Sequence, residues 1–500
     1  MPRTSAKLIR QPRILVIQGQ RQPIMEELDV VIIGAGISGI NAAYRVQTEL
    51  PSARYVVLDA REEIGGTWSF FRYPGLRSDS DLYTFGFPWK PWKAGKLIAT
   101  APLIMEYIQE AVSETGIDQH IRFKQQITAA DWSTKEQKWT LSAINGNGDT
   151  VYFKSKFIIM GTGYYDYDKA LPAPIPEIEN FAGPVIHPQF WPEDFDYSQK
   201  NIIIIGSGAT AITLLPTLAK KAAHVTMLQR SPSYLLKIEN TPSKLSFLPQ
   251  ALAIQLTRLF LILVPAVFYY FCRFFPNYSR NMLQNGAKKQ LPETVPIDPH
   301  FTPRYKPWDQ RVCFTPDGDF FEPIRDGKAD VATGTIRQVV KDGVILYSGE
   351  KLKADVIVTA TGLKMKVLGG VRISVDNEKI AIGDKYAWNN ALIQDVPNLV
   401  FVVGYVNASW TLGADTAARL FCRLFKYMQA QGHRSVVPGG VDAKTIGYRP
   451  LLALTSTYVV QGGSELPKCG NSGPWLPRVH YLVDLYKAMM GDLTNGLTFA

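Results

Sequence analysis

Cysteine is scarce in this 500-residue chain, and the four present, Cys272, Cys313, Cys422 and Cys469, show no paired spacing. They form no C-x-x-C, no zinc arrangement and no disulfide framework, so a thiol redox pair is excluded and a reducing cytosol is the expected setting. Histidine is sparse as well: His120, His187, His224, His300, His433 and His480 have no ligand spacing, and no metal is expected. The apolar core Leu259–Cys272, flanked by Arg258 and Arg273, has fourteen residues, fewer than the ~20 that a bilayer span needs. A long basic run is also missing. Of the net charge of +10, half comes from Arg3, Lys7, Arg10, Arg13 and Arg21 in residues 1–24, where no acid stands. The remainder is spread too evenly to suggest a nucleic-acid surface. This leader lacks the apolar core of a secretory signal. Residues 1–24 are expected to be poorly ordered, with Met25 a candidate true start and a targeting arm the alternative.

What the chain does have is size and glycine-punctuated apolar strands. Five hundred residues, 46% hydrophobic and 20% charged, suffice for two or three globular domains. Val30-Val-Ile-Ile-Gly34-Ala-Gly36-Ile-Ser38-Gly39 joins a short apolar run to a glycine turn. A helix is expected over Ser38–Leu50 and a second strand over Tyr55–Asp59. Asp59 stands 20 residues beyond Gly39, where a carboxylate accepts hydrogen bonds from an adenosine ribose. The plan repeats at Asn201-Ile-Ile-Ile-Ile-Gly206-Ser207-Gly208-Ala209-Thr210-Ala211. Here the second strand ends in Gln229-Arg230-Ser231, and an arginine at that place can fork onto a 2′-phosphate. The first site therefore suits FAD and the second NADPH. The alternative for Arg230 is a cation that merely solvates a strand end.

These features predict an α/β chain with two Rossmann-like dinucleotide-binding domains, for FAD and NADP, and a helical insertion. The expected segments are the leader at 1–24, the first FAD part at 25–165, and a linker with the first NADP part at 166–235. The insertion follows at 236–300, the second NADP part at 301–355 and the second FAD part at 356–500. Ala354-Asp-Val-Ile-Val-Thr-Ala-Thr361-Gly362 is expected to carry the return crossing. The apolar core of the insertion reads either as a buried helix or cap over substrate, or as a helix dipping into a membrane interface around residues 251–275. Thr455–Gly473, rich in glycine and serine, is a candidate closing loop.

Between the two turns lies Phe181-Ala-Gly183-Pro-Val-Ile-His187-Pro-Gln-Phe-Trp191-Pro192, which matches F-x-G-x-x-x-H-x-x-x-W-P at every fixed position. With Gly65-Gly66-Thr67-Trp68, Arg77-Ser78-Asp79, Gln229-Arg230-Ser231-Pro232, Pro307-Trp308-Asp309-Gln310-Arg311 and Asn407-Ala-Ser409-Trp410-Thr411, it resembles the Baeyer–Villiger branch of the class B flavin monooxygenases. The wording is most similar to the mycobacterial thioamide-prodrug-activating group. The resemblance covers nearly all of Met25 to about residue 490. It implies an NADPH- and O2-dependent oxygenation of hydrophobic ketones to esters or lactones through a C4a-peroxyflavin, with sulfoxidation as a side activity. It assigns Arg311 as the cation beside the reacting oxygen and Asp79 as the carboxylate that holds it. It places Gly66, Thr67, Trp68, Arg77, Ser78, Asp79 and Ile127 with the glycine-turn residues against the cofactors. Without the resemblance, Arg311 and Asp79 could equally form an ordinary interdomain ion pair. No nucleophile with a base and orienting acid is recognisable around His187 and Trp191, which fit a hinge better than an acid–base pair. Two alternatives stay open: an oxygenase acting on sulfur or nitrogen, and a nucleotide-binding flavoprotein that oxygenates nothing.

Overall fold

The computed structural model describes residues 15–17, 20–22, 25–241, 248–478 and 480–500. Most of the leader lies outside them, and with it most of the expectation of disorder; Leu15–Ile17 and Gln20–Gln22 pair antiparallel.

The first glycine turn sits in a βαβ unit made of β1 (Glu26–Ile33), α1 (Ile37–Glu49) and β2 (Tyr55–Leu58), with β1 and β2 parallel. Val30, Val31 and Ile32 are fully buried, as an unbroken apolar run in a parallel strand requires. A meander of β3 (Gln125–Ser133), β4 (Lys138–Asn145) and β5 (Thr150–Met160) joins the same sheet. β5 lies parallel to β1, with Val30 opposite Phe157, and parallel to the late strand Leu399–Phe401.

The second unit is a five-stranded parallel sheet. β6 (Asn201–Ile205) leads through α2 (Ala209–Leu218) to β7 (His224–Gln229), and β8 (Ala329–Thr333) and β9 (Val356–Thr359) complete the order β8-β7-β6-β9, with Val185–Ile186 at the edge. Because β9 pairs with β6 residue by residue from Ile202 opposite Val356, the chain leaves this sheet after Thr359 and not at 356 as expected. The apolar run Val356-Ile-Val-Thr is thus the last strand of the second domain, and the return begins at Ala360. The outgoing and returning crossings lie side by side, touching at Tyr165 and Met365.

The insertion holds α3 (Gln250–Phe274) and α4 (Pro276–Lys288). α3 runs 25 residues, well beyond the fourteen of its apolar core, and only Thr257 and Cys272 in it are buried. A buried helix is therefore overturned. The helix extends beyond the apolar core because Gln250–Arg258 mixes polar and apolar residues, which breaks an apolar run but not a helix, and its bounds nearly match the 251–275 of the interfacial alternative.

α5 (Trp410–Gln431) packs on α1, and α6 (Tyr481–Met490) closes the C-terminal side against α5. At the α1–α5 contact Arg45 Nε donates to Asp415 Oδ1 at 2.8 Å, and Arg419 Nε donates to the other oxygen at 2.7 Å. Asp415 is 1% exposed, so its removal leaves the buried Arg45 guanidinium with only Glu49, 3.6 Å away, as counter-charge and the partly exposed Arg419 without its partner. Asp415→Ala should lower the free energy of unfolding by about 3–5 kcal/mol, read from the denaturant midpoint; a loss under about 1 kcal/mol would place the pair among weak surface bridges.

Candidate active site

Both sheets turn the carboxyl ends of their parallel strands toward one cavity of about 1670 Å³. Gly34, Asp59 and Gly161 line it from the first sheet, and Gly206, Arg230 and Ala360 from the second, as expected for ligand crevices of open α/β sheets. Its volume exceeds the ~1,000 Å³ upper end for a site holding one small ligand, so there is room for two dinucleotides and a substrate.

At the first turn Gly36 precedes α1 with no side-chain cap, and Gly36, Ile37 and Ser38 line the cavity, so the amino end of the helix is presented to it. Gly36 lies against Gly65 and Gly66, which keeps the approach free of Cβ atoms. Asp59 Oδ2 accepts from the Ala35 amide at 2.6 Å, and Oδ1 accepts from the Arg61 amide at 2.8 Å. The carboxylate that would meet a ribose therefore also braces the turn. Ser38 lines the cavity and its hydroxyl accepts from Trp410 Nε1 at 3.2 Å. Gly66, Thr67, Trp68, Ser78 and Ile127 are on the cavity wall, with Thr67 bonded to the Tyr167 hydroxyl at 3.2 Å. Arg77 is on the wall too, but its guanidinium is paired with Asp319 from the second unit.

At the second turn Gly208 precedes α2, again without a side-chain cap, and Ser207, Ala209 and Thr210 face the cavity. Ser207 Oγ donates to the Ser231 carbonyl at 2.7 Å, tying the turn to the end of β7, where Arg230 is exposed. Two residues expected at the cofactors do not line the cavity. Gly39 and Ala211 lie inside their helices, Ala211 fully buried, where small side chains let helix and strand approach.

Arg311 and Asp79 meet as expected. Arg311 Nη1 donates to Asp79 Oδ2 at 2.9 Å and Nη2 donates to the Tyr405 carbonyl at 3.1 Å. The Arg311 side chain is 33% exposed, and that exposure faces the cavity interior. Burial opposes its charge, yet the Asp79 carboxylate holds its pKa above the ordinary guanidinium value, so it is a permanent cation. Its Nε is buried and meets no acceptor among the described residues.

Three tyrosines around this cation were not foreseen. Tyr164 stacks on Trp410 with centroids 4.6 Å apart, and its hydroxyl meets that of Tyr165 at 2.8 Å. Tyr458 comes from Thr455–Gly473, the expected closing loop, which instead carries a short helix at Thr457–Gly462. Burial raises all three phenols above their usual range, so they remain protonated donors. Tyr164-Tyr165 follows Gly161-Thr-Gly163 at the end of β5, the same strand-end place as the two glycine turns, and that was the available signal. Cys313 also lines the cavity; burial pushes its thiol up to about 12, so it is unreactive as a nucleophile. His187 lines the same cavity, with both ring nitrogens engaged by the backbone. Its Nδ1 accepts from the Gln189 amide at 3.2 Å and its Nε2 donates to the Gly362 carbonyl at 3.3 Å, which links the outgoing segment to the returning one. Burial lowers its pKa, consistent with a neutral ring.

The two turns respond differently to a methyl group. A Cβ at Gly39 would lie 1.8 Å from the Gly34 carbonyl oxygen, whereas one at Gly208 meets nothing within 4 Å. Gly39→Ala should therefore yield unstable protein without bound flavin absorbance. Gly208→Ala should keep the fold and its melting temperature while weakening pyridine-nucleotide binding, as measured by fluorescence titration; equal melting temperatures for the two variants would contradict this geometry.

The family described as pyridine nucleotide-disulphide oxidoreductase matches residues 31–249, although this chain has no cysteine pair. The FAD-containing monooxygenase EthA of Mycobacterium tuberculosis is 43% identical over 484 residues, covering 95% of this chain and 98% of that protein. Among solved structures, an oxidized steroid monooxygenase bound to NADP superposes with a TM-score of 0.73 at 18% identity, covering 95% of this chain and 99% of that one. An ε-caprolactone-bound cyclohexanone monooxygenase superposes at 0.71 with 19% identity, covering 95% and 100%. These likenesses share one two-domain nucleotide-binding fold. With near-complete coverage at 43% identity, the chain belongs to the family of FAD-containing monooxygenases.

Proposed function

We propose that this protein is an NADPH- and O2-dependent Baeyer–Villiger monooxygenase that converts hydrophobic ketones to esters or lactones and oxidises sulfides as a side activity. The observation that carries the reading is Arg311, a permanent cation fixed by Asp79 in the cavity that both glycine turns open into. The two turns suit FAD at Gly34–Gly39 with Asp59, and NADPH at Gly206–Ala211 with Arg230. Bound there, the flavin supplies hydride acceptance from NADPH and oxygen transfer to substrate.

The chain contributes charge, donors and an apolar wall. Arg311 stabilises negative charge at the reacting oxygens without being able to give up its proton, so it does not act as an acid that would discharge them. Asp79 orients it. Tyr164, Tyr165 and Tyr458, held neutral by burial, surround the cation with phenol groups that carry no competing charge. Leu261, Ile262, Ala266 and Tyr270 of α3 give the cavity an apolar wall, which favours greasy substrates. The structure of a cyclohexanone monooxygenase with a lactone bound supports the ketone reading by analogy of fold. A cytoplasmic setting is part of this reading. His187 is a positioning residue between the two domain crossings.

Product analysis with FAD, NADPH, air and 2-dodecanone, phenylacetone or thioanisole tests the reaction class. Ester from a ketone is expected; sulfoxide alone would identify a heteroatom oxygenase, and hydrogen peroxide alone a flavoprotein that does not oxygenate. Arg311→Ala should retain flavin but lose at least ~100-fold in ester formation, the scale of one lost electrostatic donor; retained ester yield would remove Arg311 from the mechanism. Arg230→Ala should raise KM for NADPH about tenfold, as for a lost charge-assisted contact, and leave that for NADH nearly unchanged. An equal rise for both cofactors would show that Arg230 does not read the 2′-phosphate.

A further inference from the structure

Among the described residues, most of the large exposed apolar side chains gather on two helices that are distant in sequence and on the chain just after the first of them. On α3, Leu252, Leu256, Leu259, Phe260, Leu263, Val264 and Val267 are 40–69% exposed. Their spacing of three and four marks a single helical face. The opposite face is anchored: Arg258 donates to the Tyr83 carbonyl, Tyr269 meets Trp308 edge to face, and Cys272 is fully buried. The stripe continues past the helix end through Phe274, Phe275 and Tyr278. On α6, Leu482, Val483, Tyr486, Met489 and Met490 form a second exposed stripe of the same period.

The two stripes meet. The Tyr270 hydroxyl hydrogen-bonds His480 Nε2 at 2.6 Å, and the two rings stack with centroids 4.9 Å apart. Val267, Phe274, Leu482 and Val483 are strongly exposed and also line the cofactor cavity. They therefore stand at its mouth, so the apolar surface and the opening of the site are one continuous feature.

The chain through α3 and α4 is basic in sequence, although Arg258 is bonded inward to the Tyr83 carbonyl and Arg273 is paired with Asp309, which leaves Lys288 and Lys289 as its exposed cations. From Gln250 to Gln290 the chain carries Arg258, Arg273, Arg280, Lys288 and Lys289 and no acidic residue. Lys288 and Lys289 are exposed at the end of α4. The one acid of α6, Asp484, accepts from the Tyr405 hydroxyl at 2.8 Å and lies on the inner side. A 25-residue helix whose most apolar 18 residues have a mean hydropathy of 2.1 and are only 6% buried has the apolar face of an interfacial helix, and the lysines at the end of α4 give it a basic flank. Aromatic residues on both stripes suit the headgroup level.

We infer that the α3–α6 surface docks on an anionic lipid bilayer, with the cavity mouth facing the acyl chains, so that apolar substrate passes to the site without crossing water. A second copy of this chain seated there would cover the mouth, whereas fluid lipid leaves it open to solutes dissolved in the membrane. The substrate route rests on the oxygenase reading above; the docking does not.

The test is flotation of the full-length, flavin-loaded protein with vesicles of phosphatidylcholine, with and without phosphatidylglycerol. Flotation should be stronger with phosphatidylglycerol. Phe260→Ser with Val264→Ser on α3, or Tyr486→Ser with Met490→Ser on α6, should each reduce it about tenfold, the scale for losing two inserted apolar side chains. None of these four residues lines the cavity, so turnover of a water-soluble ketone should stay at the wild-type rate, and the apparent KM for vesicle-dissolved 2-dodecanone should rise. Absence of flotation overturns the proposal, and so does flotation that both pairs leave unchanged. A wild-type dimer that the same substitutions convert to monomer, without flotation, would assign the surface to self-association and overturn it as well. Protein that floats but forms no ester would refute the oxygenase reading alone; protein that forms ester but does not float would refute only the docking.

Discussion

A guanidinium facing the inside of a cavity persists there only if an opposite charge and shaped acceptors take over from water, and in this protein that demand fixes the arrangement of the site. Arg311 is met by Asp79 from the first domain and by the Tyr405 carbonyl from the segment after the return crossing. Three regions separated by 232 and 94 residues in sequence thus converge on one group. The same contact brings the first domain's turn region to the chain that leaves the helical insertion. The cavity exists in its observed form because these segments are held at a common point.

The other interdomain ties are consistent with a machine that keeps its domains in register while leaving the interior open. Arg77 reaches from the first domain to Asp319 of the second, and His187 donates across the paired crossings to Gly362. Further ties join the units at Ile98 with Asn240 and at Thr455 with Asp309, and Tyr73 of the first domain packs against the apolar core of the second. The deeply buried pair Arg45–Asp415 lies instead within the first domain, between α1 and α5. The stability of that domain and the placement of the cation therefore rest on different ion pairs.

Much of this was legible in the chain itself. The two glycine turns, Asp59 and Arg230 could be placed because each follows from a local rule: a strand, a tight turn, a helix start and a residue at a set distance. Arg311 and Asp79 were legible only through resemblance, since no local rule pairs residues 232 positions apart. Tyr164, Tyr165 and Tyr458 were missed for the related reason that their role comes from burial around a cation and not from any pattern of their own. The return of the chain after Thr359 was placed early because an apolar strand reads the same in either sheet; only its pairing with Ile202–Ile205 assigns it. Gly39 and Ala211 were read as cofactor contacts, although their motif positions act through helix–strand packing.

The surroundings of α3 were not legible in its apolar run, for a reason that bears on function. An uninterrupted-run criterion asks whether a segment could be buried on all sides, and Gln250–Arg258 fails it. An interfacial helix is selected differently, by one apolar face and one anchored face, so polar residues such as Gln255 and Arg258 fit among its leucines. Contiguous apolar patches beyond a few hundred Å² are rare on monomers unless something covers them, and here the patch borders the opening of a cavity whose wall is itself apolar. A water-facing mouth of this composition would oppose release of greasy substrate from membrane to site at every step. With the mouth against lipid, substrate stays in an apolar medium until it reaches Arg311, and the exposed helix becomes part of the same physical solution as the buried cation.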